Sequence, residues 1–169
     1  GDRILFKRGQ TFEVTSKTTI GNGYGTGGYY FGAYGSGAKP LIQWKGASSD
    51  FMLDFDFGSG YIGFVDLQFQ FYNETTGVKG IGLIWVNEYL KNILFLRDDF
   101  YNPDNGVWNV SGVEETRPVS GLFMVNSTVH NNETHDTSMT QIAAFGLNSL
   151  AILNSTFDQA GNHIAYFGY

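Results

Sequence analysis

The chain has 169 residues, of which 23 are glycine; 17% are aromatic and only 15% charged, the net charge is −6, and there is no cysteine. No run of Lys or Arg offers a basic patch to nucleic acid or an anionic membrane surface, and no apolar stretch reaches the roughly 20 residues of a membrane-spanning helix. The lack of cysteine removes disulfides, thiolate metal sites and Cys nucleophiles, while low charge with abundant Gly, Phe and Tyr suits a β-rich chain with many turns.

In chain order, Gly1–Phe12 reads as a first strand and turn, and Asp2, Arg3, Lys7 and Arg8 interrupt any signal-peptide core there. The run Gly21-Asn-Gly-Tyr-Gly-Thr-Gly-Gly28 lacks the Gly-Lys-Ser/Thr of a phosphate loop and no helix follows, so it reads as a turning segment. Phe31–Ile42 supplies a second strand and a glycine-rich turn. From Phe51 to Phe57 the aromatics alternate with Asp54 and Asp56, which places both carboxylates on one strand face. A solvated outer face explains them; Ca²⁺ binding or glycosidic hydrolysis is the functional alternative.

From residue 62 onward a repeat dominates. Ile62–Phe69, Ile93–Phe100, Leu122–Val129 and Leu150–Phe157 superimpose without gaps. Their apolar columns are Ile62/Ile93/Leu122/Leu150, Phe64/Phe95/Met124/Ile152, Val65/Leu96/Val125/Leu153 and Phe69/Phe100/Val129/Phe157. A polar break holds Asp66, Arg97, Asn126 and Asn154, where a tight turn in the left-handed conformation is expected, with Asn side chains bonded to one another along the stack. Arg97 is expected to pair with Asp66 or Asp98. A second strand type matches Gln141–Gly146 to His163–Gly168 at a spacing of 22 residues, with looser copies at Gly80–Trp85 and Gly106–Val110. A unit that buries its apolar side only by stacking on its neighbours is a solenoid coil. The prediction is an all-β, right-handed, single-stranded parallel β-helix of about six or seven coils, forming one domain over residues 1–169 with these columns as a continuous interior. An all-β sandwich would not place like residues in register across four copies.

The segments Gly1-Asp-Arg-Ile-Leu-Phe-Lys-Arg-Gly-Gln-Thr-Phe12 and Phe31-Gly-Ala-Tyr-Gly-Ser-Gly-Ala-Lys-Pro-Leu-Ile42 resemble the opening of pectate-lyase-like, right-handed β-helix repeat proteins, and the later repeats resemble that family's generic coils. The resemblance implies an extracellular or cell-surface protein that meets polysaccharide. The family spans lyases, hydrolases, epimerases, phage tailspikes and adhesins, so it leaves activity open. The abrupt start at Gly1 and the end at Tyr169 within a strand suggest a segment of a longer chain, or a unit that associates end to end.

In that family's layout the cleft lies where long loops lead into the Gln141-type strand, here the segments 70–79, 101–105, 130–140 and 158–162. His130, Glu133, His135 and Asp136 gather in one of them, with Asp158 and His163 in the next coil. His beside carboxylate suits general acid–base work or metal binding, and the carboxylates are of the type that hold Ca²⁺; a polar surface loop is the plainer reading. His135, Asp136, Asp158 and His163 are the candidate catalytic residues, and Glu133, Trp108 and Tyr166 the candidate substrate contacts. Five Asn-x-Ser/Thr sequons occur; Asn73 and Asn132, in loops, are the candidates for glycosylation, whereas Asn126 and Asn154 read as turn residues and Asn109 lies in a strand copy. The leading expectation is a polysaccharide-binding or polysaccharide-processing protein, of lyase or glycosidase type if catalytic. The rival is a structural or adhesive surface protein able to form filaments, and a phage tailspike is a lesser alternative.

Overall fold

Strands of three to six residues recur along the chain, and like strands pair in parallel. The computed structural model describes residues 1–20, 28–48, 50–55, 61–71, 82–86, 92–101, 108–111, 120–130, 140–145, 149–158 and 163–168, with 20, 55, 82, 84–86, 108–111, 140–145 and 163–168 described by backbone alone. Strands are numbered in chain order. The first sheet stacks β1 (Asp2–Lys7), β4 (Tyr29–Tyr34), β7 (Tyr61–Val65), β10 (Asn92–Leu96), β13 (Gly121–Val125) and β16 (Leu150–Leu153). The second stacks β2 (Thr11–Val14), β5 (Leu41–Trp44), β8 (Gln68–Gln70), β11 (Asp99–Tyr101), β14 (Thr128–His130) and β17 (Thr156–Asp158). The third stacks β3 (Thr18–Ile20), β6 (Phe51–Phe55), β9 (Gly82–Val86), β12 (Trp108–Ser111), β15 (Thr140–Phe145) and β18 (His163–Gly168).

Each circuit of the chain adds one strand to each sheet, which makes a three-sided parallel β-solenoid six strands deep. Among the described residues there is no helix, and so none long and apolar enough to cross a membrane.

The columns read from the repeat are true Cα partners: Ile62 with Ile93, Ile93 with Leu122 and Leu122 with Leu150. The interior rests on aromatic stacking at the spacing the strands impose. Phe31, Phe64 and Phe95 form one stack, with centroids 4.9 and 5.3 Å apart, and Phe69 and Phe100 form a second at 5.3 Å. The stacks meet edge to face, Phe64 on Phe69 at 80° and Phe95 on Phe100 at 87°. Rungs about 4.8 Å apart bring rings into contact on both faces, and the edge-to-face crossing fills the corner between two sheets.

Two expectations are corrected. The column Val65, Leu96, Val125 and Leu153 does not join the central cluster: Phe64, Phe95 and Met124 are 0–1% exposed, so strand alternation sends the following residue outward, and exposure there runs from 9% at Val65, which is buried on the outer side, to 58% at Leu153. The match of Gln141–Gly146 to His163–Gly168 is one residue out of register, because Thr140 pairs with His163 and Ile142 with Ala165. Ile142, Ala143, Ala144 and Phe145 form an unbroken apolar run, which satisfies either face and so pins register weakly.

The turn from first to second sheet carries the strongest local order. Asp66, Arg97, Asn126 and Asn154 all sit at positive φ, from 47° to 59°. Asn154 Nδ2 donates to Asn126 Oδ1 at 2.7 Å, and Arg97 clasps Asp66 through Nε at 2.6 Å and Nη2 at 3.0 Å. Arg8 adds a contact to Asp66 at 3.1 Å, and the guanidinium of Arg97 holds the Asp66 carboxyl below its ordinary range. The preceding circuit turns through Gly35 and Gly37 at φ of 83° and 112°, where any side chain would be strained.

The next residue in each turn faces inward and binds along the stack. Asp98 accepts from Leu67 N at 2.8 Å, Ser127 Oγ accepts from Asp98 N at 3.1 Å, and Ser155 Oγ accepts from Ser127 N at 3.1 Å. Asp98 is fully buried, and burial pushes its carboxyl up to about 8 against the N–H bonds from Leu67 and Leu96. Its protonation therefore favours the folded chain. The contribution is complete below the unfolded-state value near about 4 and declines as the pH climbs towards 8.

Asp98→Ser copies the hydroxyl used by the next two rungs, and is expected to flatten the pH dependence of the unfolding midpoint across that window. Asp98→Ala leaves the Leu67 N–H buried and unpaired, at a cost of about 1–3 kcal/mol in denaturant unfolding. Phe64→Ala, in the middle of its stack, is expected to cost about 3–5 kcal/mol in the same measurement.

Candidate functional site

The strands of the second sheet point one residue inward and the next outward. Phe12, Ile42, Phe69, Phe100, Val129 and Phe157 are the inward column, and the following residues, Glu13, Gln43, Gln70, Tyr101, His130 and Asp158, form an outward column in register. From β8 onward these residues close their strands, and the segments leading to the third sheet begin just after them. Gln70, Tyr101, His130 and Asp158 are thus strand residues at the rim, where the sequence placed them in loops.

The lower rungs make direct contact. His130 Nδ1 lies 2.9 Å from Asp158 Oδ2. An ionised carboxylate only accepts, so Nδ1 carries the proton and, in the neutral ring, Nε2 is left with a free lone pair. The Tyr101 ring stacks on His130, centroids 4.7 Å apart and 16° from parallel. Burial, and then the charges of Asp99 and Asp158, push the Tyr101 phenol above its ordinary range, which keeps it a neutral donor at neutral pH. On the same face Lys39 reaches Asp99 at 2.7 Å. The side chains of His130 and Asp158 are 28% and 42% exposed, open to a solvent-borne partner and anchored by the strand behind them.

Of the residues singled out in the sequence, Asp158 is thus joined to His130. His163 opens β18 opposite Thr140, Tyr166 lies opposite Ala143, and Trp108 opens β12 opposite Ile84, so backbone position puts all three on the third sheet. Glu133, His135, Asp136, Asn132 and Asn73 lie outside the described residues. Among the described residues no three His, Asp or Glu side chains gather as a metal site. Asp54 pairs with Lys17 at 3.4 Å, in keeping with the solvated outer face read from the sequence, while Asp56 is outside the described residues.

Sequence reasoning missed the outer face of the first sheet. There Arg3, Tyr30, Gly63, Leu94 and Phe123 form a column in register, beside Tyr61 and Asn92, and together they line an open groove of about 560 Å³. Tyr30 lies over Gly32 and Phe123 over Gly121: a Cβ at either glycine would fall 2.7 Å from a ring carbon of its neighbour. The signal was available, since a glycine two residues from an aromatic on one strand leaves a vacant place for the ring to occupy. No protein-family model and no curated protein matches the chain.

Asp158→Asn removes one of the charges that raise the Tyr101 phenol. Its titration, followed by NMR, is expected to move down towards the ordinary tyrosine value while remaining above it, because burial persists.

Proposed function

We propose that this chain is an extracellular β-solenoid that binds or processes polysaccharide along the side where the second sheet hands over to the third. The observation that supports the reading best is the outward ladder of Tyr101, His130 and Asp158, fixed in register by β11, β14 and β17. It aligns a phenolic donor, an imidazole with its Nε2 lone pair available and a carboxylate along the solenoid axis, in the direction an extended glycan would run. The resemblance of Gly1–Phe12 and Phe31–Ile42 to pectate-lyase-like repeat proteins points the same way, by fold analogy.

The ladder is better suited to proton abstraction than to glycoside hydrolysis. Asp158 orients the ring, Nε2 takes the proton from the sugar carbon beside a uronate carboxyl, a C=C bond forms as the glycosidic C–O bond on the neighbouring carbon breaks, and the Tyr101 hydroxyl donates its proton to the departing oxygen. Hydrolysis needs two carboxyl groups flanking one bond, about 5–9 Å apart, and this ladder contributes Asp158 alone.

A panel of uronate and neutral polysaccharides, followed by the ultraviolet absorbance of unsaturated products and by reducing ends, tests the reading. Activity is expected, with His130→Ala lowering kcat by about 10²–10⁴ and leaving the unfolding midpoint close to wild type. Glycan binding without product would remove the catalytic half and leave an adhesive surface protein. Absence of both binding and turnover would overturn the whole reading.

A further inference from the structure

We propose that the groove on the outer face of the first sheet is a second glycan site, distinct from the loop-bearing side, which takes an extended neutral oligosaccharide lying along the solenoid axis. Exposure first singles out this face. Among the described residues Leu5, Tyr30, Tyr34, Tyr61 and Leu153 are strongly exposed large hydrophobic side chains at outward positions of this one sheet, whereas Ile4 and Leu150 are inward positions on its end strands.

The lining is mixed rather than purely apolar. Tyr30, Tyr61, Leu94 and Phe123 supply apolar surface, and Asp2, Arg3 and Asn92 supply polar groups within the same groove. The Tyr30 and Phe123 side chains lie along their own strands in the room left by the missing Cβ atoms of Gly32 and Gly121. Between them Gly63 leaves a notch in the column.

A pyranose has an apolar C–H face to set on a ring and a rim of hydroxyls to satisfy amide, carboxylate and guanidinium. A purely apolar partner would bury Asn92 and Asp2 without hydrogen bonds, which is costly. The column spans five rungs, about 19 Å at the usual strand spacing, enough for a chain of several sugars. Asp2 and Arg3 are adjacent and opposite in charge, and among the described residues no other charged side chain lines the groove, so these side chains give an anionic sugar nothing over a neutral one. The rings and the notch therefore favour a neutral chain.

Titration of the whole chain with cello-, manno- and xylo-oligosaccharides of rising length, and with oligogalacturonate, tests this by calorimetry. Affinity for at least one neutral series is expected to rise with length and then level off. Tyr30→Ala is expected to weaken it about tenfold. Gly63→Gln should do the same by filling the notch, and a Cβ there meets Tyr30 Cδ2 at only 3.8 Å, so the fold has room for it. Tyr34→Ala, an exposed aromatic of the same sheet outside the groove, should leave affinity unchanged.

Undiminished binding by Tyr30→Ala and Gly63→Gln would overturn the proposal, as would preference for the uronate or no binding to any neutral series. So would a dimer in sedimentation that these substitutions dissociate, since the face would then be an interface between copies. None of these variants touches His130 or Asp158, so failure here and failure of the loop-side reading are separable.

Discussion

The structure depends on one repeated hydrogen bond. At the turn from first to second sheet the residue after the left-handed position points inward, and its N–H has to be met by a side chain from the next rung. Leu67 is met by Asp98, Asp98 by Ser127 and Ser127 by Ser155. Each such bond fixes the height and phase of one circuit against the next. The aromatic stacks of the interior and the outward columns on both faces inherit that phase, because side chains on a strand have no freedom to choose their side once the turn is set.

Asp98 occupies this position at a price that serine does not incur. A carboxyl in a fully buried turn must be neutral or be stabilised by donors, and here desolvation outweighs its N–H bonds. The neighbouring column, at the left-handed position, is ionic at one end and neutral at the other: Arg8, Asp66 and Arg97 form a charged cluster, and Asn126 and Asn154 bond to one another. Different chemistries thus satisfy one backbone geometry, and the sequence varies there without disturbing the stack.

The two proposed glycan surfaces follow from the same alternation. On the second sheet it presents Tyr101, His130 and Asp158, and on the first it presents Tyr30, Leu94 and Phe123. Both run along the axis with one residue per rung, so a repeating polymer can meet a repeating surface. They differ in character: the first is a hydrogen-bonded, titratable ladder, the second a groove of aromatic and aliphatic side chains with a few polar groups, Asp2, Arg3 and Asn92.

The amino-acid sequence by itself determined the repeat, the left-handed turns and the stacking partners, since gapless recurrence of Ile, Phe and Asn at fixed offsets has few physical solutions. It also brought His130 and Asp158 into one neighbourhood. Tertiary structure decided which columns face outward, since Val65 and Leu153 are as apolar as Phe64 and Ile152 and only strand alternation separates them. It decided the register of β15 on β18, which an unbroken apolar run leaves open, and it joined His130 to Asp158 across 28 residues of sequence. It also revealed the groove, because the register that sets Arg3, Tyr30, Gly63, Leu94 and Phe123 side by side is a relation between neighbours in space that composition does not carry.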